Sequence, residues 1–214
     1  MKKLSVFTIV FLMASGALAS NTGNRSYKFC DDITRVDKLL DRTRESKERI
    51  KRERLEIERI VVSKDRKEMY LISGETLLRK YTVAFGTTRR GHKQFQGDRK
   101  TPEGIYFISG KNPNSKFHLS LEVSYPNARD IAFARARGQS PGGDIMIHGL
   151  PNPSKYSDII RGMHPMDWTS GCIAVTDEEI EEVYSLVEKG TLIETCKMSE
   201  VEPPPRFRYE APRP

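Results

Sequence analysis

A chain of 214 residues, 37% of them hydrophobic and with a formal charge of +7, is long enough for one domain of ordinary size plus an appendage. Nine Phe, eight Tyr and several β-branched runs argue against wholesale disorder, although a mean hydropathy of -0.57 lies on the polar side of globular. The excess of base suits nucleic acid, anionic lipid or another anionic polymer equally well, so charge selects no partner.

In chain order, the first element is a leader. Met1-Lys2-Lys3, an apolar stretch from Leu4 to Met13, and Ala17-Leu18-Ala19 form the charged, apolar and small-residue regions of a signal peptide, residues 1–19, with cleavage expected after Ala19. The apolar run falls short of the roughly 20 residues that cross a bilayer. No Cys follows the cleavage site to carry a lipid, and no other stretch is apolar for long enough to be a transmembrane segment, so a soluble product in the periplasm or cell envelope is expected. Export disfavours nucleic acid, and loss of Lys2 and Lys3 lowers the charge from +7 to +5. A cell-envelope polymer becomes the better partner. Three cysteines remain, Cys30, Cys172 and Cys196; an odd number in an oxidising compartment leaves a thiol unpaired or forces pairing between chains.

Residues 31–59 are dominated by charge, without Gly or Pro, with sparse apolar positions Ile33, Val36, Leu39, Leu40 and Ile50. They predict a charged, exposed helical arm over 20–56, whose mixed signs fit a solvated face better than a docking surface. From residue 57 the pattern turns to short β-rich runs, at 57–62, 68–73, 77–85, 104–109, 118–124 and 144–147, bounded by turn-forming residues such as Ser73-Gly74-Glu75 and Pro141-Gly142-Gly143. Leu119, Leu121 and Val123 alternate with Ser120, Glu122 and Ser124, as on a strand that buries one face. Two helices are predicted within this framework. Asn127 caps one running to Arg137; Thr176 and Glu179 form the capping box of another, with Ile180, Val183, Tyr184 and Val187 on one stripe and Gly190 at its end. Residues 191–196 read as a last strand, and the Pro-rich tail, 197–214, as extended or disordered.

The chemistry concentrates in two segments, Ile145-Met146-Ile147-His148-Gly149 and Asp167-Trp168-Thr169-Ser170-Gly171-Cys172-Ile173-Ala174-Val175. A thiol of ordinary pKa is only a few per cent thiolate at neutral pH, so a nucleophilic Cys172 profits from an imidazole such as His148 that takes its proton. Gly171 leaves the backbone open beside Cys172 for amide N–H groups to face an oxyanion. Taken alone, the pair is equally the pattern of a buried Cys and a hydrogen-bonded His.

Taken in chain order, Gly97-Asp98-Arg99-Lys100-Thr101-Pro102-Glu103-Gly104, Ser124-Tyr125-Pro126-Asn127, Pro141-Gly142-Gly143-Asp144 running into the His148 segment, and the Cys172 segment closely resemble the L,D-transpeptidase (YkuD) catalytic domain, over residues 57–196. The resemblance implies a mainly β, sandwich-like domain with one or two short helices, acting on peptidoglycan stem peptides. It implies Cys172 as nucleophile, His148 as the catalytic His of a His-Gly element, Gly171 and Cys172 as the turn that offers oxyanion donors, and Gly149 as further site backbone; no cofactor and no metal is implied. Many members read Ser/Thr-His-Gly-Cys followed by an apolar residue and Arg, whereas this chain has Ser170 and Ala174 at those places and a longer interval from His148 to Cys172. The group that holds the substrate carboxylate is therefore open, with Arg161 and His164 of the intervening loop as candidates; Ser170 and Trp168 are further substrate-binding candidates, Trp168 being either a wall of the cleft or core. In the implied reaction a Cys172 thioester is passed to a neighbouring stem, giving a 3-3 cross-link, to a lysine of an envelope lipoprotein, or to water, giving a carboxypeptidase or amidase. A Cys30–Cys196 bridge would pin the arm to the domain and leave Cys172 free. Two other readings stand beside this one: a non-catalytic peptidoglycan-binding module of the same fold, and a metal hydrolase built on His118, His148, His164 and an acid, which lack a trustworthy ligand spacing.

Overall fold

The computed structural model describes residues 29–154 and 157–199, so the leader, residues 20–28 of the expected arm and most of the Pro-rich tail lie outside the described residues. Two 3-10 turns, Phe29–Asp31 and Ile33–Lys38, lead into β1 (Leu40–Asp41) and α1 (Lys47–Arg52). Then follow β2 (Arg59–Ser63), β3 (Glu68–Ser73), β4 (Thr76–Thr82), β5 (Gly104–Ser115), β6 (His118–Val123), α2 (Ala128–Arg135), β7 (Met146–His148), α3 (Ser157–Met163), β8 (Ile173–Ala174), α4 (Asp177–Leu186) and β9 (Leu192–Cys196). Among the described residues no helix is long and apolar enough to cross a membrane.

The nine strands run in the order β1-β4-β3-β2-β9-β5-β6-β7-β8. β5 is the hinge. Its first half pairs with β9 (Tyr106 with Ile193) and its second with β6 (Lys111 with Leu121), and the register shifts between Ile108 and Gly110. A bulge of that kind sharpens the bend of a strand, and here one sheet becomes two facing leaves. The curl continues until Ala84, just past β4, bridges Ala174 of β8, so the continuation of β4 beyond its pairing with β1 meets the last strand of the order. Between the leaves lies the main core, including Ile60, Val62, Leu71, Phe85, Ile108, Leu121, Ile147, Ile173, Ile180 and Ile193. The mainly β, sandwich-like expectation holds.

The runs Ile60-Val61-Val62 and Met69-Tyr70-Leu71-Ile72 do not alternate with polar residues, because β2 and β3 are buried on both faces. Ile60, Val62, Met69 and Leu71 face the main core; Val61, Tyr70 and Ile72 form a second cluster with Leu77, Cys196, Val36, Phe29, Ile33 and Leu39. The N-terminal segment is the cover of that second face, which corrects the expectation of an exposed helical arm. Its sparse apolar positions are anchors: Val36, 1% exposed, belongs to that second cluster, whereas Ile50, 0% exposed, enters the main core; Leu40 remains 65% exposed. Helical pieces this short have no stability in isolation and depend on the sheet beneath them.

The cover is fastened by a Cys30–Cys196 disulfide and by Glu194. That carboxylate, 2% exposed, accepts from the Phe29 and Cys30 amides at 3.1 and 3.0 Å and pairs with Arg59 at 2.9 Å. The two helices predicted by their caps are present, with complete capping boxes at Asn127/Asp130 and Thr176/Glu179. The first ends at Arg135, two residues short of the expectation. α3 and β1 were not anticipated; each depends on tertiary partners more than on its own pattern.

The bridge closes a loop across a sequence separation of 166 residues. Replacing Cys30 and Cys196 with Ser is expected to lower unfolding free energy by about 2–5 kcal/mol in a chemical denaturation series. A shift within error would show that the cover holds without its covalent link.

Candidate active site

The site is assembled where β7 and β8 run parallel, with Ile147 beside Ile173 and His148 beside Ala174. Side chains alternate along both strands, so Ile147 and Ile173 enter the core while His148 and Ala174 share the opposite face. One residue before β8, Cys172 falls opposite Met146, whose backbone N–H lies against the thiol. Cys172 and His148 are thus on the same face of neighbouring strands, two residues apart in register. Cys172 is half-buried and unpaired, and its Sγ–H donates to the Asp144 carbonyl at 3.3 Å. Burial raises the thiol pKa; the Asp144 charge adds to this, while the Met146 amide and Lys93 oppose it.

His148 is 2% exposed. Its Nδ1–H donates to the Gly149 carbonyl at 2.6 Å, which leaves Nε2 as the basic nitrogen. Phe117 lies against the ring with centroids 4.4 Å apart and planes tilted by 31°, and Trp168 meets it edge-on at 5.6 Å. Enclosure without a countercharge lowers the imidazole pKa to about 4, against which the Gly149 bond is a smaller, opposing influence. With the thiol raised and the imidazole lowered, the resting pair is neutral thiol and neutral imidazole.

The turn ahead of Cys172 is shaped by close backbone approach. Gly171 has φ +135°, and a Cβ there would stand 2.6 Å from the Lys100 carbonyl oxygen; one at Gly86 would stand 2.1 Å from that of Arg99. Three segments, around Gly86, Arg99–Lys100 and Gly171, therefore stack main chain on main chain, which only glycine permits. Thr169 stitches the turn: its hydroxyl donates to the Cys172 carbonyl at 2.7 Å and accepts from the Gly171 N–H at 3.1 Å. Asp167 fixes its start, accepting from the Phe85 amide at 3.0 Å and pairing with Lys67 at 2.9 Å and Arg89 at 3.5 Å. Lys64, fully buried, donates to the Gly91 and Thr101 carbonyls and to Glu103 at 2.9, 2.7 and 2.9 Å, locking the loop that presents Arg99 and Lys100.

The structure revises several expected roles. The Gly171 amide is taken by Thr169, and the Gly149 amide donates to the carbonyls of Phe117 and Leu119 at 3.1 and 3.3 Å, so neither N–H faces an oxyanion. Arg161 is committed to the Pro151 carbonyl at 3.0 Å and to Asp177 at 2.8 Å, tying α3 to α4 rather than offering a carboxylate site. Ser170 is exposed at the turn. His164 is half-buried, with its pKa lowered chiefly by that burial, and its Nδ1, like Trp168 Nε1, is enclosed without a hydrogen-bond partner among the described residues. Trp168 does wall the imidazole. Thr169 and Asp167 lay within the quoted motif without an assigned role, and Phe117 carried no sequence signal beyond its place before a predicted strand.

The L,D-transpeptidase catalytic domain (YkuD) family model matches residues 57–195. The chain belongs to the YkuD L,D-transpeptidase family. A relative from Escherichia coli K12 whose name, YafK, carries the L,D-transpeptidase designation is 32% identical over 130 residues, which are 59% of this chain and 44% of that protein. The chain thus spans less than half the length of the curated relatives it matches. Among solved structures, the helical cell shape determining protein Pgp2 from Campylobacter jejuni aligns with TM-score 0.48 and 25% identity over 67% of this chain and 48% of its own. Bdellovibrio bacteriovorus Bd1075 aligns with TM-score 0.43 and 24% identity over 66% and 48%.

Within this YkuD domain, Gly171→Ala is expected to cost at least about 3 kcal/mol in denaturant unfolding, from positive φ and collision with Lys100 together. Gly97→Ala, at φ +82° but in open space, is the control, with a cost of about 1 kcal/mol. Equal costs would mean that the turn relaxes freely. His148 also makes a pH-dependent contribution. The unfolded chain takes the imidazole proton near pH 6.5 and the folded chain near 4, so stability is undiminished above 6.5 and falls as pH drops toward 4. His148→Gln should remove about 3 kcal/mol of that acid loss in unfolding measured at pH 7 and pH 4; an unchanged pH slope would overturn the assignment.

Proposed function

We propose that this YkuD domain is a cysteine-dependent L,D-transpeptidase acting on peptidoglycan tetrapeptide stems through a thioester at Cys172. The observation that carries the reading is the unpaired, half-buried thiol on the same strand face as an imidazole whose free nitrogen is Nε2. Because the resting pair is neutral, proton transfer accompanies attack. Cys172 sulfur bonds to the carbonyl carbon linking the third stem residue to the terminal D-Ala while His148 Nε2 takes the thiol proton. The tetrahedral intermediate collapses by breaking the C–N bond, and His148 returns the proton to the departing D-Ala amine. An acceptor amine then attacks the thioester; a new amide forms, the C–S bond breaks, and the amine proton goes back to sulfur by way of His148. With the Gly171 and Gly149 amides engaged, the Cys172 amide is the turn's remaining candidate for the oxyanion.

The acceptor we favour is the side-chain amine of a second stem, giving a 3-3 cross-link, or a lysine of an envelope protein; an exported location, signalled by the leader-like N-terminus, puts the enzyme with either.

Incubating the protein with disaccharide-tetrapeptides and resolving products by mass spectrometry is expected to give cross-linked dimers that disappear in Cys172→Ala and fall at least about a hundredfold in His148→Gln. Tripeptides without dimers would assign water as the acceptor and a carboxypeptidase activity. Full turnover by Cys172→Ala would sink the thioester reading.

A further inference from the structure

Through Trp168, the two motifs that carry His148 and Cys172 account for only part of what encloses the imidazole. Its closest ring neighbour comes from the tip of the β5–β6 hairpin, a segment remote in sequence from both. Phe117 lies at 4.4 Å on one side of His148, and Phe117 and Trp168 are themselves 6.0 Å apart, so three rings form one cluster. The Phe117 carbonyl also accepts from the Gly149 amide at 3.1 Å. Gly149 is the residue whose carbonyl receives the imidazole Nδ1–H. The hairpin tip thus holds the ring directly and holds the group that orients it.

That tip is anchored on several sides. Asn152 accepts from the His118 amide at 2.9 Å, donates its own amide to the Lys116 carbonyl at 3.0 Å, and donates its side chain to the Ser115 carbonyl at 3.2 Å. His118, at φ +63°, pairs with Glu181 of α4 at 2.8 Å. The ionisable groups on the elements packed around His148 are largely paired away from it: Arg161 of α3 with Asp177 of α4, and His118 of the hairpin with Glu181. On α4, Glu179 accepts from the Thr176 amide and Glu182 pairs with Arg79. Lys116 shares the hairpin tip, Glu122 of β6 stands across from Met146, Cys172 lies on the β8 side and His164 in the loop after α3, and Ser120 stands directly across from His148 on β6. Apolar ring contact therefore sets the environment of the base, with no opposing carboxylate to hold it.

We propose that Phe117 is the positioning residue for the catalytic base, its ring holding one side of His148 and its carbonyl holding the glycine that orients the imidazole. This rests on the reading of His148 as the base given above. It assigns the hairpin tip a function that neither motif contains: keeping Nε2 unprotonated and aimed while the thiol proton is transferred.

The test uses the full chain with carbon-13-labelled histidine. Imidazole C–H resonances are followed against pH in parent, Phe117→Ala, Phe117→Leu and Phe117→Tyr, with circular dichroism at each pH to establish folding. In the parent His148 is expected to titrate near pH 4. In Phe117→Ala and Phe117→Leu it should move toward the ordinary histidine value by about one unit or more as the ring becomes wetted. The acid limb of kcat/KM should move with it, and kcat at neutral pH should fall roughly ten- to a hundredfold while KM changes little, as expected for lost orientation. Phe117→Tyr, which keeps the ring, should restore all three. If Phe117→Ala does not fold, Phe117→Leu decides. Folded Ala or Leu variants in which His148 titrates as in the parent and the acid limb stays in place overturn the proposal. The titration needs no turnover, so it stands apart from the underlying reading, which fails if His148→Gln keeps the parent's acylation rate.

Discussion

Two residues of strand hold the centre of this molecule in place. β8 is only Ile173–Ala174, yet it is paired on one side with β7 and bridged on the other to Ala84, where amide and carbonyl of Ala84 and Ala174 exchange bonds of 2.9 Å in both directions. A strand this short has no independent persistence and takes its position from its neighbours. Through that pairing, the curl of the whole sheet is converted into the placement of one sulfur. Moving either leaf relative to the other would shift Ala174 against Ala84 and carry Cys172 away from the face that His148 shares.

The same constraint explains why so much polar chemistry in the domain is internal. Closing the sheet brings the segments around Gly86, Arg99–Lys100 and Gly171 into main-chain contact, and main chain brought together in a buried place must have its N–H and C=O groups satisfied. Thr101 Oγ1 receives the Gly86 amide at 3.3 Å, Thr169 serves Gly171 and Cys172, and Lys64 gathers two carbonyls and Glu103. Lys64 would be a severe cost if unpaired; with three acceptors around its ammonium it becomes a clamp. The amides of Gly171 and Gly149 belong to this internal satisfaction, and they are therefore the wrong donors to credit with oxyanion binding.

What was legible in the sequence follows from locality. Alternation at Leu119, Leu121 and Val123 gave β6, and the side chains of Asn127 and Thr176 gave the starts of two helices, because the partners of a strand face or a cap lie within a few residues. The order of the quoted motifs pointed to the family. The N-terminal cover has no legible face because Val36 and Ile50 are too sparse to mark one; Val36 finds its partners only on the outer face of β2 and β3, and Ile50 only in the main core. Phe117 was invisible for a related reason: a single aromatic at a hairpin tip has no pattern, and its contact with His148 exists only after β6 and β7 have paired. Arg161 looked available because sequence gives the charge of a guanidinium without the carboxylate, Asp177, that already holds it.

A chain that keeps one disulfide and one thiol faces a chemical hazard, since a thiolate attacks disulfides and scrambles them. The electrostatics of Cys172 address this. Its pKa is raised by burial, and the imidazole on the same face is held neutral, so the resting sulfur keeps its proton and is a poor nucleophile toward Cys30–Cys196. That bridge lies with the second apolar cluster, on the outer face of β2 and β3, whereas the thiol opens on the face of β7 and β8. An ion-paired thiolate would react faster with a substrate but also with every oxidant and disulfide it met. In the proposed reaction a neutral pair would defer activation until a bound carbonyl supplied the electrophile, and the seating of His148, with the rings around it, would then be the quantity on which rate depends.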